Sequence, residues 1–459
     1  MTEHRRRARP AKPGVDRPRR AAYDLLHEVG SGDAYANLAL PAILSAHDLH
    51  GRDAAFTTEL AFTTLRWRGL LDAVLARCVD RPLDRLDPQV LDLLRLGATQ
   101  LLLMRVRTHA AVSETVALTR DVRGEGASKL VNAVLRKVAA RDLTAWREVV
   151  TADVTDESER LAIFWSHPRW IVSALREAMS GEGVDPDQIE QLLEVDNEAP
   201  GVTLVARPGR CSVDELLELE SATPGLWSPY AVYLGHGSPG EISAVRQRRA
   251  AVQDEGSQLI AIALADAPLV GRDEQWLDLC AGPGGKAALL GALAAKRGAA
   301  VLAIEPIPHR AELVRSTTFA LPVEVREIDG RSGDLPESEF DRVLVDAPCT
   351  GLGVVRRRPE ARWRRQPSDV ATLAVLQREL LTAGLRAVRP GGVVLYSTCS
   401  PHLAETEFVV DDVVQRAGGA VERVAISLVP GEAASENARL WPHRHGTDGM
   451  YAALLRRTV

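Results

Sequence analysis

The sequence has no apolar run approaching the roughly 18 to 20 residues that a helix needs to cross a bilayer. Its first residues, MTEHRRRARPAKPG, are basic but have no apolar stretch behind them, so neither an anchor nor a secretory leader is expected and the chain is assigned to the cytoplasm, off the membrane. Cysteine is scarce and scattered. The five residues, at 78, 211, 280, 349 and 399, are odd in number and contain no C-x-x-C pair, which gives neither a disulfide framework nor a zinc motif; no metal is expected. Positive charge is not in excess either. A formal net charge of -6 excludes a uniformly basic nucleic-acid coat and leaves only local patches for phosphate.

What is present is enough apolar residue, 46% of 459, to bury two or three cores. Residues 1–20 hold eight Lys or Arg among several prolines and form a basic, disordered tail in this reading. From 21 to 145 apolar residues recur at three- and four-residue spacing, as in Leu70, Leu71, Val74 and Leu75, and predict a compact all-helical domain. Residues 146–250 read as linker helices and a small α+β module, with strand-like alternation from Val202 to Ala206. From 251 to 459 strand and helix patterns alternate. The expected strands are Gln275–Cys280, Ala300–Ile304, Pro322–Ile328, Arg342–Asp346, Gly392–Thr398, Val421–Leu428 and Met450–Leu455, the last one antiparallel. Such alternation implies a parallel α/β sheet with its ligand at the carboxyl ends of the strands.

The first of those strands ends in WLDLCAGPGGKA, where Gly282, Gly284 and Gly285 allow a tight turn into a helix and close approach of a ligand to the backbone. The glycines are out of phase with the dinucleotide fingerprint, and Cys280 and Ala287 break the Walker pattern. Glu305 ends the second strand, where a carboxylate can accept hydrogen bonds from both ribose hydroxyls, and Asp329 follows the third, where it can meet an adenine amino group. Acids placed after consecutive strands point to one adenosine site.

Two resemblances follow from motifs. SKLVNAVLRKVAAR, centred on Asn132, Leu135 and Arg136, resembles the NusB-type RNA-binding helical domain. DLCAGPGGKA, DAPCTGLG and YSTCSP, in that order, resemble the RsmB (Fmu, Sun) family of 16S ribosomal RNA cytosine-5 methyltransferases, within the NOL1/NOP2/Sun group. The fold implied is multi-domain: an all-α NusB-like N-terminal domain, a small α+β connecting module and an α/β Rossmann-like class I methyltransferase domain.

The family resemblance implies S-adenosylmethionine as cofactor, held by Cys280, Ala281, Gly282, Pro283, Gly284, Gly285, Lys286, Glu305, Arg310, Asp329 and Asp346. It implies Cys399 as nucleophile, Cys349 as the residue that helps release product, Asp346 as the base-binding acid and Lys286 as an auxiliary group. The chemistry wants a thiolate, because carbon 5 of cytosine is a poor nucleophile until a sulfur adds at carbon 6. Arg358, Arg362 and Trp363, in an arginine-rich run from Val354 to Arg365, join Asn132 and Arg136 as RNA-binding candidates, although Glu360 stands where the family usually has Asp. The His443 and His445 segment reads as a loop or RNA-facing element. The expected partner is 16S ribosomal RNA and the expected state a monomer. Two alternatives stay open: a methyltransferase for transfer RNA or another RNA cytosine, and a non-catalytic RNA-binding assembly factor.

Overall fold

A computed structural model of the chain describes residues 15–32 and 34–459. Two compact units emerge. The first takes in the chain up to Arg176 together with Pro186–Glu198 and Val355–Arg364; the second takes in Glu177–Asp185, Ala199–Val354 and Arg365–Val459.

The first unit is helical. Its opening helix, Arg17–Ser31, starts where Asp16 accepts a hydrogen bond from the Arg19 amide and Pro18 presets the first turn. Residues 17–20 of the expected tail are therefore helix, and Arg19 is buried with its Nε 2.6 Å from Gln100 Oε1. The rest of that tail, 1–14, lies outside the described residues. Asp87, Asp142 and Asp156 cap later helices in the same way. In the helix Glu125–Val138, Val131, Val134, Leu135 and Val138 are buried at helical spacing, and a Cβ on Gly97 would come within 2.5 Å of Leu135 Cδ1, so the two helices cross closely.

The helical unit does not stop at 145. Trp146 is buried in the same core and donates from its indole to the Val138 carbonyl at 2.8 Å. Asn197 Nδ2 donates to Trp165 O at 2.7 Å, which stitches the 186–198 segment to this unit. Apolar patterning could not show this, because the boundary is crossed by a few tryptophan and amide contacts rather than by a new periodicity.

The second unit holds two sheets. The smaller consists of β1 (Val202–Ala206), β2 (Thr223–Pro224), β3 (Ala231–Leu234) and β4 (Ala250–Val252), in antiparallel order β2-β3-β1-β4. The larger consists of β5 (Gln275–Asp278), β6 (Ala300–Ile304), β7 (Val323–Arg326), β8 (Phe340–Asp346), β9 (Val388–Thr398), β10 (Val421–Val424), β11 (Ala438–Leu440) and β12 (Met450–Arg457). Its order is β10-β12-β9-β8-β5-β6-β7, with β11 also paired to β12. β5 to β9 run parallel, whereas β12 lies antiparallel to β9, β10 and β11. The last strand, expected to be antiparallel, is β12, which lies between β10 and β9.

Period-two alternation explains the two cores. Trp276, Leu344, Leu395 and Leu454 face one side, where the helices Glu255–Asp266 and Gly285–Ala295 pack; Leu277, Val345, Tyr396 and Leu455 face the other, against the helices Pro367–Ala387 and Glu407–Arg416. With both faces covered, the free polar ground is the carboxyl edge, where β5, β6, β8 and β9 all end.

Candidate active site

Both cysteine loops leave adjacent parallel strands. Cys349 follows β8 and Cys399 follows β9, and their sulfurs stand 3.4 Å apart. Hydrogen bonding to Cys399, followed by burial, pushes the Cys349 thiol well above its ordinary range, so it keeps its proton.

Asp346, the last residue of β8, is held on both oxygens. Lys286 Nζ donates to Oδ2 at 2.8 Å and Ser397 Oγ donates to Oδ1 at 2.8 Å. Lys286 sits in the first turn of Gly285–Ala295, which starts from Gly284 in the left-handed region at φ 109°. Glycine is required there both for that conformation and because a Cβ would come within 2.9 Å of Thr317.

The loop from Cys280 to Gly285 crosses the end of β6. Ala281 N donates to Ile304 O at 2.9 Å, and Arg310 Nη2 donates to Gly282 O at 2.8 Å. Glu305 is buried beneath the loop: Ile307 N donates to its Oε1 at 3.1 Å, Arg310 Nε lies 3.4 Å from Oε2, and a Cβ on Gly282 would fall 1.9 Å from that oxygen. Asp329 lies beyond β7 beside Gly330, where a Cβ would press on Leu279 after β5, but its carboxylate is chelated by Arg331, with Nη2 at 2.6 Å.

Some functional groups were missed in the sequence. Asp278, at the end of β5, is buried; burial and then the Asp346 charge raise its carboxyl to about 7, and its Oδ2 has no hydrogen-bond partner. The acid just before the glycine loop was the available signal. Ser397 is hidden in the apolar run GGVVLYST, and Glu405 looks like any acid at a turn. Gly353 donates from its amide to Cys399 O at 2.9 Å and accepts from Gly449 N at 2.8 Å, which gives the His-Gly-Thr-Asp-Gly stretch a bracing role.

Three expectations are corrected. Arg362 is fully buried within the helical unit, donating to Asn197 Oδ1 at 2.8 Å and to the Asp196 and Ser166 carbonyls, so no surface is left for RNA. Trp363 is half-buried and wedged between helices: its indole donates to Leu65 O at 3.1 Å and its ring fills the space over Gly69. His445 is buried, with Nδ1 accepting from Trp441 N at 2.8 Å, and does not face RNA. Arginine and tryptophan look the same in sequence whether they interlock helices or await phosphate; burial separates them for Arg362, and the contacts to Leu65 and Gly69 for Trp363. Arg358 remains exposed, its guanidinium 5.2 Å from the Tyr35 ring centroid, and Arg136 is exposed with Asn132 half-buried beside it.

The unpartnered Asp278 oxygen, the Gly282 cradle and the Glu305 carboxylate suit a ligand that brings a cation and a ribose diol, as S-adenosylmethionine does. Among the described residues no group of three or more His, Cys, Asp or Glu is placed to hold a metal ion, and no helix is long and apolar enough to cross a membrane.

Comparison with known proteins agrees with this geometry. The family model for the 16S rRNA methyltransferase RsmB/F matches residues 267–456, and that of the NusB family matches 16–140. A Mycobacterium tuberculosis protein named as a methyltransferase, with no substrate given, is 51% identical over 98% of both chains. The ribosomal RNA small subunit methyltransferase B of Pseudomonas putida is 33% identical over 95% of this chain and 98% of its own. Among solved structures, PH0851 covers 97% of this chain and 100% of its own with a TM-score of 0.79 at 23% identity. NSun6 from Pyrococcus horikoshii, solved with SFG, covers 62% of this chain and 98% of its own at 0.52 and 19%; both show a shared fold. The chain, a NusB-family domain joined to a Rossmann-like methyltransferase domain, belongs to the RsmB/F family of 16S rRNA methyltransferases.

Proposed function

We propose that this protein methylates carbon 5 of a cytosine in 16S ribosomal RNA, through a covalent adduct with Cys399. The carrying observation is the pair of sulfurs 3.4 Å apart beside an Asp346 held by Lys286 and Ser397. S-adenosylmethionine, the donor, supplies an electrophilic methyl group when bound. Gly282 to Gly285, Glu305, Asp278 and Arg310 would hold it, and Asp329 would join them once its carboxylate turns from Arg331.

Cys399, having released its proton to solvent, adds through sulfur to carbon 6 of the base, and the displaced electron pair makes carbon 5 nucleophilic. Asp346 accepts from the exocyclic amino group; the ring nitrogen takes a proton from solvent as the adduct forms and returns it to solvent when the adduct breaks down. Once carbon 5 carries the methyl group, its hydrogen leaves as a proton and the sulfur–carbon 6 bond breaks. The Cys349 thiol donates to the departing Cys399 sulfur, and the resulting thiolate takes the carbon 5 proton. One proton is released overall for each methyl group transferred. The helical domain, through Asn132 and Arg136, and the exposed Arg358 hold the RNA while one base is turned out of its stack.

The test compares two variants on 16S ribosomal RNA, read by mapping 5-methylcytosine and by denaturing electrophoresis. Cys399→Ala is expected to lose methylation and form no adduct; Cys349→Ala is expected to accumulate a protein–RNA adduct. Methylation by Cys399→Ala, or a modified position other than carbon 5, overturns the reading.

A further inference from the structure

Nothing in the chemistry above explains what keeps two sulfurs from different loops within 3.4 Å of one another. Strand pairing aligns the ends of β8 and β9, but the cysteines lie beyond the last paired residues, Asp346 and Ser397. Beyond that point the Gly353 amide reaches the Cys399 carbonyl at 2.9 Å, and one carboxylate binds the residues that follow both cysteines.

Glu405 ends a short helical turn, Leu403–Glu405, and is fully buried. Its Oε1 accepts from Thr350 N at 2.8 Å and from Gln377 Nε2 at 3.2 Å; its Oε2 accepts from Ser400 Oγ at 2.6 Å and from Thr350 Oγ1. Thr350 and Ser400 are the residues immediately after Cys349 and Cys399, and their hydroxyl oxygens are themselves 3.1 Å apart. Gln377 also donates to Pro348 O at 2.9 Å, on the other side of Cys349, and Tyr396 donates from β9 to Glu405's own carbonyl at 2.7 Å. A buried carboxylate costs several kcal/mol unless every lone pair finds a donor, and here four donors from three segments converge on it.

We propose that Glu405 is a positioning residue of the reaction: by tying together the residues that follow each cysteine, it fixes the separation and orientation of the two sulfurs. It touches no reacting atom in this arrangement and acts through Thr350 and Ser400. Its negative charge also faces Cys349 and opposes loss of that thiol's proton, which keeps Cys349 a donor while Cys399 attacks. The inference rests on the two-cysteine reading above.

The test uses the full chain. In Glu405→Gln the size is kept, but an amide NH2 is set against groups that donate. Its kcat is expected to fall by about 100-fold through misplacement of the sulfurs, with KM for RNA held within about twofold. A second readout separates positioning from mere scaffolding. In a Cys399→Ser background, iodoacetamide labelling of the Cys349 peptide, followed by mass spectrometry, is expected to shift to lower pH by about one unit when Glu405 becomes Gln. Unchanged kcat and an unchanged labelling profile overturn the proposal. Should Glu405→Gln fail to fold, Thr350→Val, which loses the hydroxyl bonds, is compared with Thr350→Ser, which keeps them. A fall in kcat in the first and recovery in the second are expected, and equal activities refute the idea. Labelling needs neither RNA nor methyl donor, so its result stands apart from the Cys399→Ala test of the function itself.

Discussion

Lys286 Nζ lies 2.8 Å from Asp346 Oδ2, and this pair links the glycine loop, the proposed cofactor side of the site, to the cysteine side. Burial alone would lower the lysine's pKa, but the Asp346 charge and hydrogen bond outweigh it and leave the group above its ordinary 10.5. The ammonium is therefore charged at any pH near neutrality. Its contribution to stability is complete below 10.5 and is lost only as the pH climbs through the raised folded value. Lys286→Met is expected to reduce kcat on the order of 100-fold, since Asp346 then faces the base without its fixed partner. Single-turnover methylation measures this, and an unchanged rate would place Lys286 outside the chemistry.

Asp278 gives a pH dependence of the same sign in a lower window. Its folded carboxyl titrates at about 7 against an ordinary 3.8, so between those values the folded state binds more protons than the unfolded one and stability falls as pH rises. At pH 8 without cofactor, Asp278→Asn is expected to stabilise the chain by about 2 to 4 kcal/mol, because a buried charge is removed. Below pH 3.8 the two proteins should melt together, since the parent's carboxyl is then neutral in the unfolded chain as well as in the folded one. A Tm difference independent of pH would show that Asp278 is not the titrating group. S-adenosylhomocysteine binding to the variant should weaken if the orphaned oxygen meets the ligand's ammonium.

How legible was this arrangement? The glycine loop, both cysteines, Asp346 and Lys286 stand in contiguous motifs whose neighbours in sequence are their neighbours in space. The parallel strands were readable because apolar runs of this length, ended by acids and glycines, have few other uses. Glu405, Ser397 and Gly353 were not readable, since each works through residues distant in the chain and carries no pattern of its own. The Val355–Arg364 segment misled for a related reason: it lies in the catalytic half of the sequence but belongs to the helical unit, where Arg362 is a buried strut and Trp363 a half-buried one.

Two glycines should fail differently. An alanine Cβ at Gly282 would meet Glu305 Oε2 at 1.9 Å, the end of a side chain that can yield, so the fold survives while the cradle is displaced. Gly282→Ala is expected to weaken S-adenosylhomocysteine binding by at least about tenfold in calorimetry, since the carboxylate is pushed from its place. At Gly353 the added atom would meet the Gly449 carbonyl oxygen at 2.1 Å and that of Cys399 at 2.9 Å, both backbone. Gly353→Ala should therefore shift the Cys399 loop, abolishing methyl transfer with ligand affinity retained. Loss of ligand affinity in Gly353→Ala and none in Gly282→Ala would invert the assignment.

His167 is a buried histidine of the helical unit. Burial, then the Arg362 charge, lowers its pKa from 6.5 to about 4, so the unfolded chain binds a proton more readily and stability declines as pH falls from 6.5 towards 4. The loss should reach up to about 3 kcal/mol. Denaturant titrations from pH 7 to pH 4 measure it, and His167→Gln should flatten the profile across that window. A profile equally steep in the variant would assign the acid sensitivity to other groups.

Arg362 offers the sharpest separation between a strut and an RNA contact. Its guanidinium satisfies Asn197 Oδ1, at 2.8 Å, and the carbonyls of Asp196, Ser166 and Arg66, at 2.9, 3.1 and 3.3 Å, all within one unit. Arg362→Ala removes every one of these donors and leaves a cavity, so it should destabilise the chain by about 3 to 5 kcal/mol. Arg358→Ala, by contrast, removes an exposed cation and should leave Tm unchanged while lowering RNA affinity and reducing its salt dependence by about one counterion. Melting curves and RNA titrations at two salt concentrations distinguish the two. If Arg362→Ala kept the parent's Tm and lost salt-dependent affinity instead, the guanidinium would have to leave the helical core to reach phosphate, and its burial would be a resting position rather than its working one.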